Sequence, residues 1–129
     1  MSSKVSNELQ TQVYGRIAAT ITVTDMNRAL EFYLGVVGLQ KTFENGDPVG
    51  FVILKRDDAE LHLTLGKKHI ATDRNVAHLL ISNANEFHDH LVCNGVRIIK
   101  GVRDADYGIR GFVFADPDGN RIDVGQIIA

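Results

Sequence analysis

The stretch Ala115–Gln126, ADPDGNRIDVGQ, runs a turn directly into a strand. Pro117 presets the φ of about −65° that a type I turn needs, and Gly119 supplies the positive φ that must follow it. Beyond the turn, Arg121 and Asp123 alternate with Ile122 and Val124, the period-two pattern of a half-buried strand. A calcium loop built on Asp116, Asp118 and Asn120 is excluded, because its sixth position must be glycine and its twelfth a carboxylate, and Arg121 and Ile127 stand there. Closing the hairpin sets Val113 opposite Asp123 and Ala115 opposite Arg121. Phe112 and Phe114 then face the core, while Arg121, Asp123 and Gly125 face the other way.

The stretch has a counterpart upstream. GFVILKRDDAELHLTLG, laid on GFVFADPDGNRIDVGQ from Gly50 and Gly111, matches without a gap, with Leu61 meeting Ile122, Leu63 meeting Val124 and the polar His62 meeting Asp123. A shared Gly-Phe-Val and an equal turn length carry this internal repeat further than alternation alone would.

Each hairpin is preceded by the same set of elements. RIAATITVT, Arg16–Thr24, alternates with Ile17, Ala19, Ile21 and Val23 on one face. Asp25 caps a helix whose Ala29, Phe32, Tyr33 and Val36 recur at helical spacing, and Gly38 ends it. LQKTF, GFVILK and ELHLTL follow as strands, separated by the turn-forming ENGDP and RDDA. The order then restarts with a strand AHLLIS, on which His78 and Leu80 are assigned to the cleft face. A helix capped by Asn83 follows, with Glu86 at the capping-box position and Phe87 and Leu91 inward. VRIIK, GFVFAD and RIDVGQ complete the second half.

The expected fold is therefore α+β: two tandem βαβββ modules, about 16–66 and 76–127, forming a curved mixed sheet around a cleft with helices on its outer face. Modules this small cannot each enclose a core and must pack together. Polar side chains on the concave wall, namely Glu60, His62, Thr64, His78, Arg121 and Asp123, then need water, a metal or a ligand, since an unpartnered polar group out of water costs roughly 1–3 kcal/mol.

A chain of 129 residues with 44% hydrophobic and 23% charged residues is sized for one domain, read here as residues 16–127 behind a polar leader, 1–15. Fourteen basic against sixteen acidic side chains, with no long run of either sign, give no nucleic-acid footprint. No apolar run is long enough to span a membrane or serve as a secretory signal. The single cysteine, Cys93, reads as a small buried side chain in a reducing, cytoplasmic setting. His88 and His90 look metal-like as text, but two residues apart on a helix they diverge and belong to solvated surface. Phosphate loops, nucleophile elbows and Cys-X-X-Cys pairs are missing.

With VTDMNRALEFYLGVVGL near the start, DYGIRGFVFADPDGNRIDVGQ at the end and two βαβββ units between, the chain resembles the vicinal oxygen chelate superfamily, nearest the glyoxalase and bleomycin-resistance type. The resemblance covers about Arg16 to Gln126. It implies metal ligands on the first, fourth, fifth and eighth strands, which fall here on Ala18, His62, His78 and Asp123. Ala18 cannot bind a metal, and Asp123 replaces the usual glutamate with a shorter arm. His62, His78 and Asp123 remain as a candidate set for zinc, iron, manganese or nickel.

Two readings follow. The first is a cytoplasmic, homodimeric small-molecule-binding protein of the bleomycin-resistance-like type, using no cofactor and holding an amphipathic or aromatic ligand through Thr20, Thr64, Tyr107, Arg110 and Arg121. The alternative is a metal-dependent lyase, isomerase or dioxygenase in which the metal polarises paired oxygens. No catalytic residue is singled out, and the sequence leaves open whether the modules pair within one chain or between two.

Overall fold

The computed structural model describes residues 7–128. The elements in order are α1 (Asn7–Gln10), β1 (Ala19–Val23), α2 (Met26–Leu30) continuing as a π-helical segment (Glu31–Val36), β2 (Gln40–Gly46), β3 (Val49–Arg56) and β4 (Ala59–Leu65). The second set is β5 (Asn75–Leu80), α3 (Ala84–Cys93), β6 (Ile98–Ala105), β7 (Ile109–Ala115) and β8 (Arg121–Ile127). Two βαβββ modules are thus present. They form two four-stranded mixed sheets, ordered β1-β4-β3-β2 and β5-β8-β7-β6, in place of one continuous sheet. In each, the first and last strands are parallel, as a crossover through a helix requires. The leader contributes the short α1, and of its described residues Leu9–Gly15 are exposed; residues 1–6 lie outside the described part.

Both helices start where side-chain caps demand. Asp25 Oδ1 accepts from Arg28 N at 3.0 Å and Asn83 Oδ1 accepts from Glu86 N at 3.0 Å, each satisfying an otherwise orphaned amide. The first helix widens to π geometry after Leu30, with Val37 N donating to Phe32 O, and Gly38 ends it at φ 87°. One core joins the modules. Ile21, Val23, Val52, Leu54, Leu61 and Leu63 belong to the same cluster as Leu91, Phe112, Phe114, Ile122 and Val124. Phe32 of the first helix reaches Phe114 of the second sheet at 6.1 Å between ring centroids, and Phe87 of α3 meets Phe114 edge-on at 6.1 Å. The helices and the apolar sides of both sheets are packed together, which turns the polar sides outward.

The opening stretch pins this arrangement. Asp116 and Asn120 are 5% and 2% exposed, so their polar atoms need partners inside the protein. Asp116 Oδ1 accepts from the amides of Asp118 and Asn120, and its Oδ2 accepts from Tyr33 OH at 2.8 Å. Asn120 Nδ2 donates to Thr22 O, and its Oδ1 accepts from His69 Nε2 at 2.8 Å. Asp118 accepts from Thr24 N, Thr24 Oγ1 and Arg28 Nη2. The loop that closes the second hairpin thereby fastens itself to the strand end and helix start of the first module. Burial and the neighbouring carboxylates raise the Tyr33 phenol well above its usual value, desolvation being the largest cause.

Several expectations need correction. The internal repeat is not gap-free: β3 and β4 are joined by Asp57 and Asp58 alone, whereas β7 and β8 are joined by Asp116–Asn120. The faces consequently slip by one residue. Val52 and Leu54 are the buried pair of β3, while Phe112 and Phe114 are the inward pair of β7, so Phe51 and Phe112 of the shared Gly-Phe-Val point to opposite sides. The first strand begins at Ala19, leaving Ile17 96% exposed ahead of it. Cys93 is exposed, because the apolar face of α3 is carried by Ala84 and Leu91 and the last turn rotates Cys93 away.

Candidate functional site

Because the outward faces carry the polar residues, each sheet presents its own candidate surface. On the first sheet, parallel pairing sets Thr20 beside His62 and Thr22 beside Thr64, and antiparallel pairing sets Ile53 beside His62 and Phe51 beside Thr64. Thr20, Thr64, His62 and Glu60 therefore share one wall with Phe51 and Ile53. Phe43, paired to Ile53, extends it to the sheet edge. The rings are in contact: Phe43 with Phe51 at 6.3 Å and Phe51 with His62 at 5.5 Å, both edge-to-face. Glu60 is the polar hub. It binds His62 Nε2 at 2.7 Å, Arg16 at 3.0 Å and Lys55 at 3.6 Å, and the hydrogen bonds from His62 and then Arg16 hold its carboxyl below the usual range.

On the second sheet, His78 and Asp123 are register partners, and His78 Nδ1 lies 2.8 Å from Asp123 Oδ2. The carboxylate can only accept, which places a proton on Nδ1 and leaves Nε2 outside this contact. The ring rests over Gly125, where an added Cβ would come within 3.0 Å of His78 Cε1 and 3.2 Å of Ile109 Cγ2. Arg121 stands two residues before Asp123 on the same side, next to Ala115.

The expected ligand residues are thus divided. Thr20 and Thr64 join His62 on the first wall, and Arg121 joins His78 and Asp123 on the second. Arg110 belongs elsewhere: it alternates with Ile109 and Gly111, shares the helix side with Phe112, and is held bidentately by Asp104 at 2.7 and 3.1 Å. That pairing lowers the Asp104 carboxyl and raises the Arg110 guanidinium. Tyr107 sits 78% exposed in the β6–β7 turn, apart from both walls.

The metal set divides in the same way, with His62 bound to Glu60 on one sheet and His78 to Asp123 on the other. Among the described residues no three His, Cys, Asp or Glu side chains come together as a metal-holding group. The first-strand position beside His62 is Thr20, with Ala18 lying ahead of β1. The described residues of a single chain do not fit a divalent metal with three protein ligands. Two hollows lie on the helical side, one lined by Asn27, Leu30 and Leu34 and one by Phe32, Asn94 and Asp118, away from His78.

Sequence reasoning missed Phe43 and Phe51, whose strand GFVILK is apolar throughout and hides which alternate residues face out. A signal existed in the hydrophobic residues of β4: once Leu61 and Leu63 are inward, the two-residue turn forces Phe51 outward with His62.

Paired βαβββ modules define a class of small α+β proteins, and the comparisons agree on that fold. Residues 10–124 match the family described as Glyoxalase/Bleomycin resistance protein/Dioxygenase superfamily. The chain belongs to that superfamily. Similar solved structures include a superfamily member from Sphaerobacter thermophilus, 26% identical with a TM-score of 0.74, covering 88% of this chain and 98% of that one. A bleomycin resistance determinant encoded on the transposon Tn5 superposes with a TM-score of 0.75 at 19% identity, covering 88% and 98%. Lactoylglutathione lyase from Agrobacterium tumefaciens gives 0.66 at 18% identity, covering 87% and 92%. At these last two identities the likeness is one of fold. No match was found among curated proteins. No helix among the described residues is long and apolar enough to cross a membrane.

Proposed function

We propose that the chain is a cytoplasmic small-molecule-binding protein of the bleomycin-resistance-like type, holding an amphipathic or aromatic ligand against its outward sheet faces and acting as a homodimer without a metal. The observation that carries this is the run of ring contacts from Phe43 through Phe51 to His62, with Phe43 50% exposed at the β2 edge, Thr64 paired with Phe51 and Thr20 paired with His62. Such a wall offers a flat apolar surface with hydrogen-bonding groups at its border, which is how a ligand site combines affinity with orientation. Exposed Leu80, Val76 and Ile127 on the second sheet favour closure of the faces by a second copy.

Titration of the full chain with a panel of fluorescent polycyclic aromatics tests the reading. Micromolar binding that falls about tenfold or more in Phe51→Ala is expected. Absence of binding across the panel overturns it.

A metal-dependent lyase, isomerase or dioxygenase is the second reading, favoured by the adjacency of His78 and Asp123. Two donors meet within the chain, and a third would have to come from His62 of another copy. Stoichiometric metal in protein purified without chelator or affinity tag, lost in His78→Ala, would establish this reading over the first.

A further inference from the structure

We propose that the N-terminal arm, Leu9–Ile17, is exchanged between two copies of the chain: each arm crosses to the other copy and lays its apolar side chains on the outward face of that copy's second sheet, over Leu80 and Ile127. This rests on the homodimer of the reading above and names the surfaces that would make it.

The arm carries apolar residues that its own chain does not cover. Val13 and Ile17 are 95% and 96% exposed, Tyr14 is 78% exposed and Leu9 is half-exposed. None of them joins the core cluster. Apolar side chains scattered singly over a surface need no cover, but a run of them within a few consecutive residues does. The course of the arm explains why the body of the chain does not supply it. Arg16 Nη1 binds Glu60 Oε1 at 3.0 Å, which fixes the root of the arm on the outward side of the first sheet. Just beyond the root, a Cβ added to Gly15 would meet nothing within 4 Å, so the chain there stands clear of the body.

The second sheet offers a matching patch. Leu80 is paired with Gly125, and Ile127 lies two residues further along β8 on the same side. Both are exposed, as is Val76, two positions before His78 on the same face of β5. Diagonal neighbours on one sheet face are close enough to share a partner side chain, so Leu80 and Ile127 make one apolar patch.

Arm and patch belong to the same chain, so two copies satisfy one another reciprocally, in the self-complementary manner of a twofold dimer. Reach and size agree with this. Fully extended, residues Thr11–Ile17 span about 23 Å, more than the roughly 14 Å across a four-stranded sheet. A stable interface takes about 20–30 residues from each side, and the arm alone falls short of that. The arm together with the outward residues of one sheet, about three on each of four strands, reaches it.

The chain contains no tryptophan, so Tyr14→Trp puts a single reporter on the arm. Its emission and its quenching by acrylamide are followed from nanomolar to tens of micromolar chain, alongside sedimentation equilibrium. As dimer forms, the emission is expected to shift to shorter wavelength and the quenching to fall severalfold. Leu80→Ser with Ile127→Ser, at concentrations where that variant is still dimeric, should return the reporter to its exposed state, whereas Phe43→Ser should not. Val13→Ser with Ile17→Ser should raise the dimer dissociation constant about tenfold or more. Thermal unfolding of the monomer should not change in that variant, since neither residue is part of the core. A reporter that stays exposed in a dimer, or is buried at every concentration, overturns the exchange and leaves the homodimer and the ligand reading standing. Burial lost in Phe43→Ser and kept in the second-sheet variant overturns the second sheet as the acceptor. A chain that is monomeric throughout overturns the exchange and the homodimer together, while binding of the aromatic panel is read independently of both.

Discussion

Gly125 lies directly beneath the imidazole of His78, and a Cβ built on it would meet His78 Cε1 at 3.0 Å. The glycine and the histidine are thus one feature: the bare strand lets the ring lie flat enough for Nδ1 to reach Asp123 at 2.8 Å. The three atoms nearest such a Cβ, two on His78 and one on Ile109, all belong to side chains.

The same substitution at Gly111 should behave differently. There the Cβ would meet the backbone oxygen of Val124 at 2.6 Å, and neither partner can turn away without opening the β7–β8 ladder. Gly111→Ala is expected to cost about 2–4 kcal/mol, in the range of strained core substitutions, and Gly125→Ala only about 1 kcal/mol. Urea denaturation followed by circular dichroism compares them. NMR of the His78 ring should show the Nδ1–H tautomer lost in Gly125→Ala.

Asp118 is the second test of how the modules are joined. Its carboxylate is 7% exposed on the side chain and receives Thr24 N, Thr24 Oγ1 and Arg28 Nη2. Asp118→Ala strands the Thr24 amide and hydroxyl and should destabilise the chain by about 1–3 kcal/mol. The reverse truncation, Arg28→Ala, removes a donor whose side chain is 49% exposed and should cost no more than about 1 kcal/mol. Thermal unfolding of the two variants, with the larger loss at Arg28, would contradict the burial argument.

These residues also mark how far sequence carries. The caps at Asp25 and Asn83 were legible because a short acceptor just ahead of an apolar helical stripe has one job, and the hydrogen bonds to Arg28 and Glu86 are those expected. The pairing of Val113 with Asp123 was legible because Pro117 and Gly119 fix the turn. The face of Phe51 was not, since an apolar run satisfies either phase of a strand and only the two-residue turn at Asp57–Asp58 decides between them. The side of the sheet that Arg110 takes was hidden for a related reason. Its position just ahead of GFVFAD says nothing about the side of β7 it occupies, and Asp104 on the neighbouring strand claims it. The wall of His62 and that of His78 were expected to share a cleft; their separation into two sheets follows from a single core that uses both helices, which no local pattern reveals.

Closure by a second copy makes a prediction about Leu80. It lies 56% exposed beside Gly125 on the second sheet, with Ile127 62% exposed on the same side. In a homodimer that covers this face, a charge at Leu80 would be buried without a partner. Leu80→Asp should therefore raise the dimer dissociation constant about a hundredfold or more while leaving the monomer's far-ultraviolet circular dichroism unchanged. Sedimentation equilibrium reads this directly, and a wild-type chain that is monomeric at micromolar concentration would remove the dimer from the proposal.

The alkaline limb of stability should belong to Tyr33. Its hydroxyl donates to Asp116 at 2.8 Å in the buried interlock, and burial, followed by the charge and hydrogen bond of Asp116, raises its pKa well above 10.0. A folded-state pKa above the unfolded value means that the protonated phenol is the form the fold favours. The stabilisation is complete below about pH 10, where Tyr33 is protonated in both states, and is lost as pH rises through the folded-state value. Ionisation there would set a phenolate against the Asp116 and Asp118 carboxylates with no cation in the donor set of Asp116, whose partners are the Tyr33 hydroxyl, two amides and the Asn120 side chain. Tyr33→Phe should lower stability at neutral pH by about 1–2 kcal/mol, the cost of one buried hydrogen bond to a charged acceptor. It should also flatten the fall in stability above pH 10, so that the wild-type and variant curves converge. Parallel curves through that range in urea titrations at stepped pH would show that the alkaline transition lies elsewhere in the molecule.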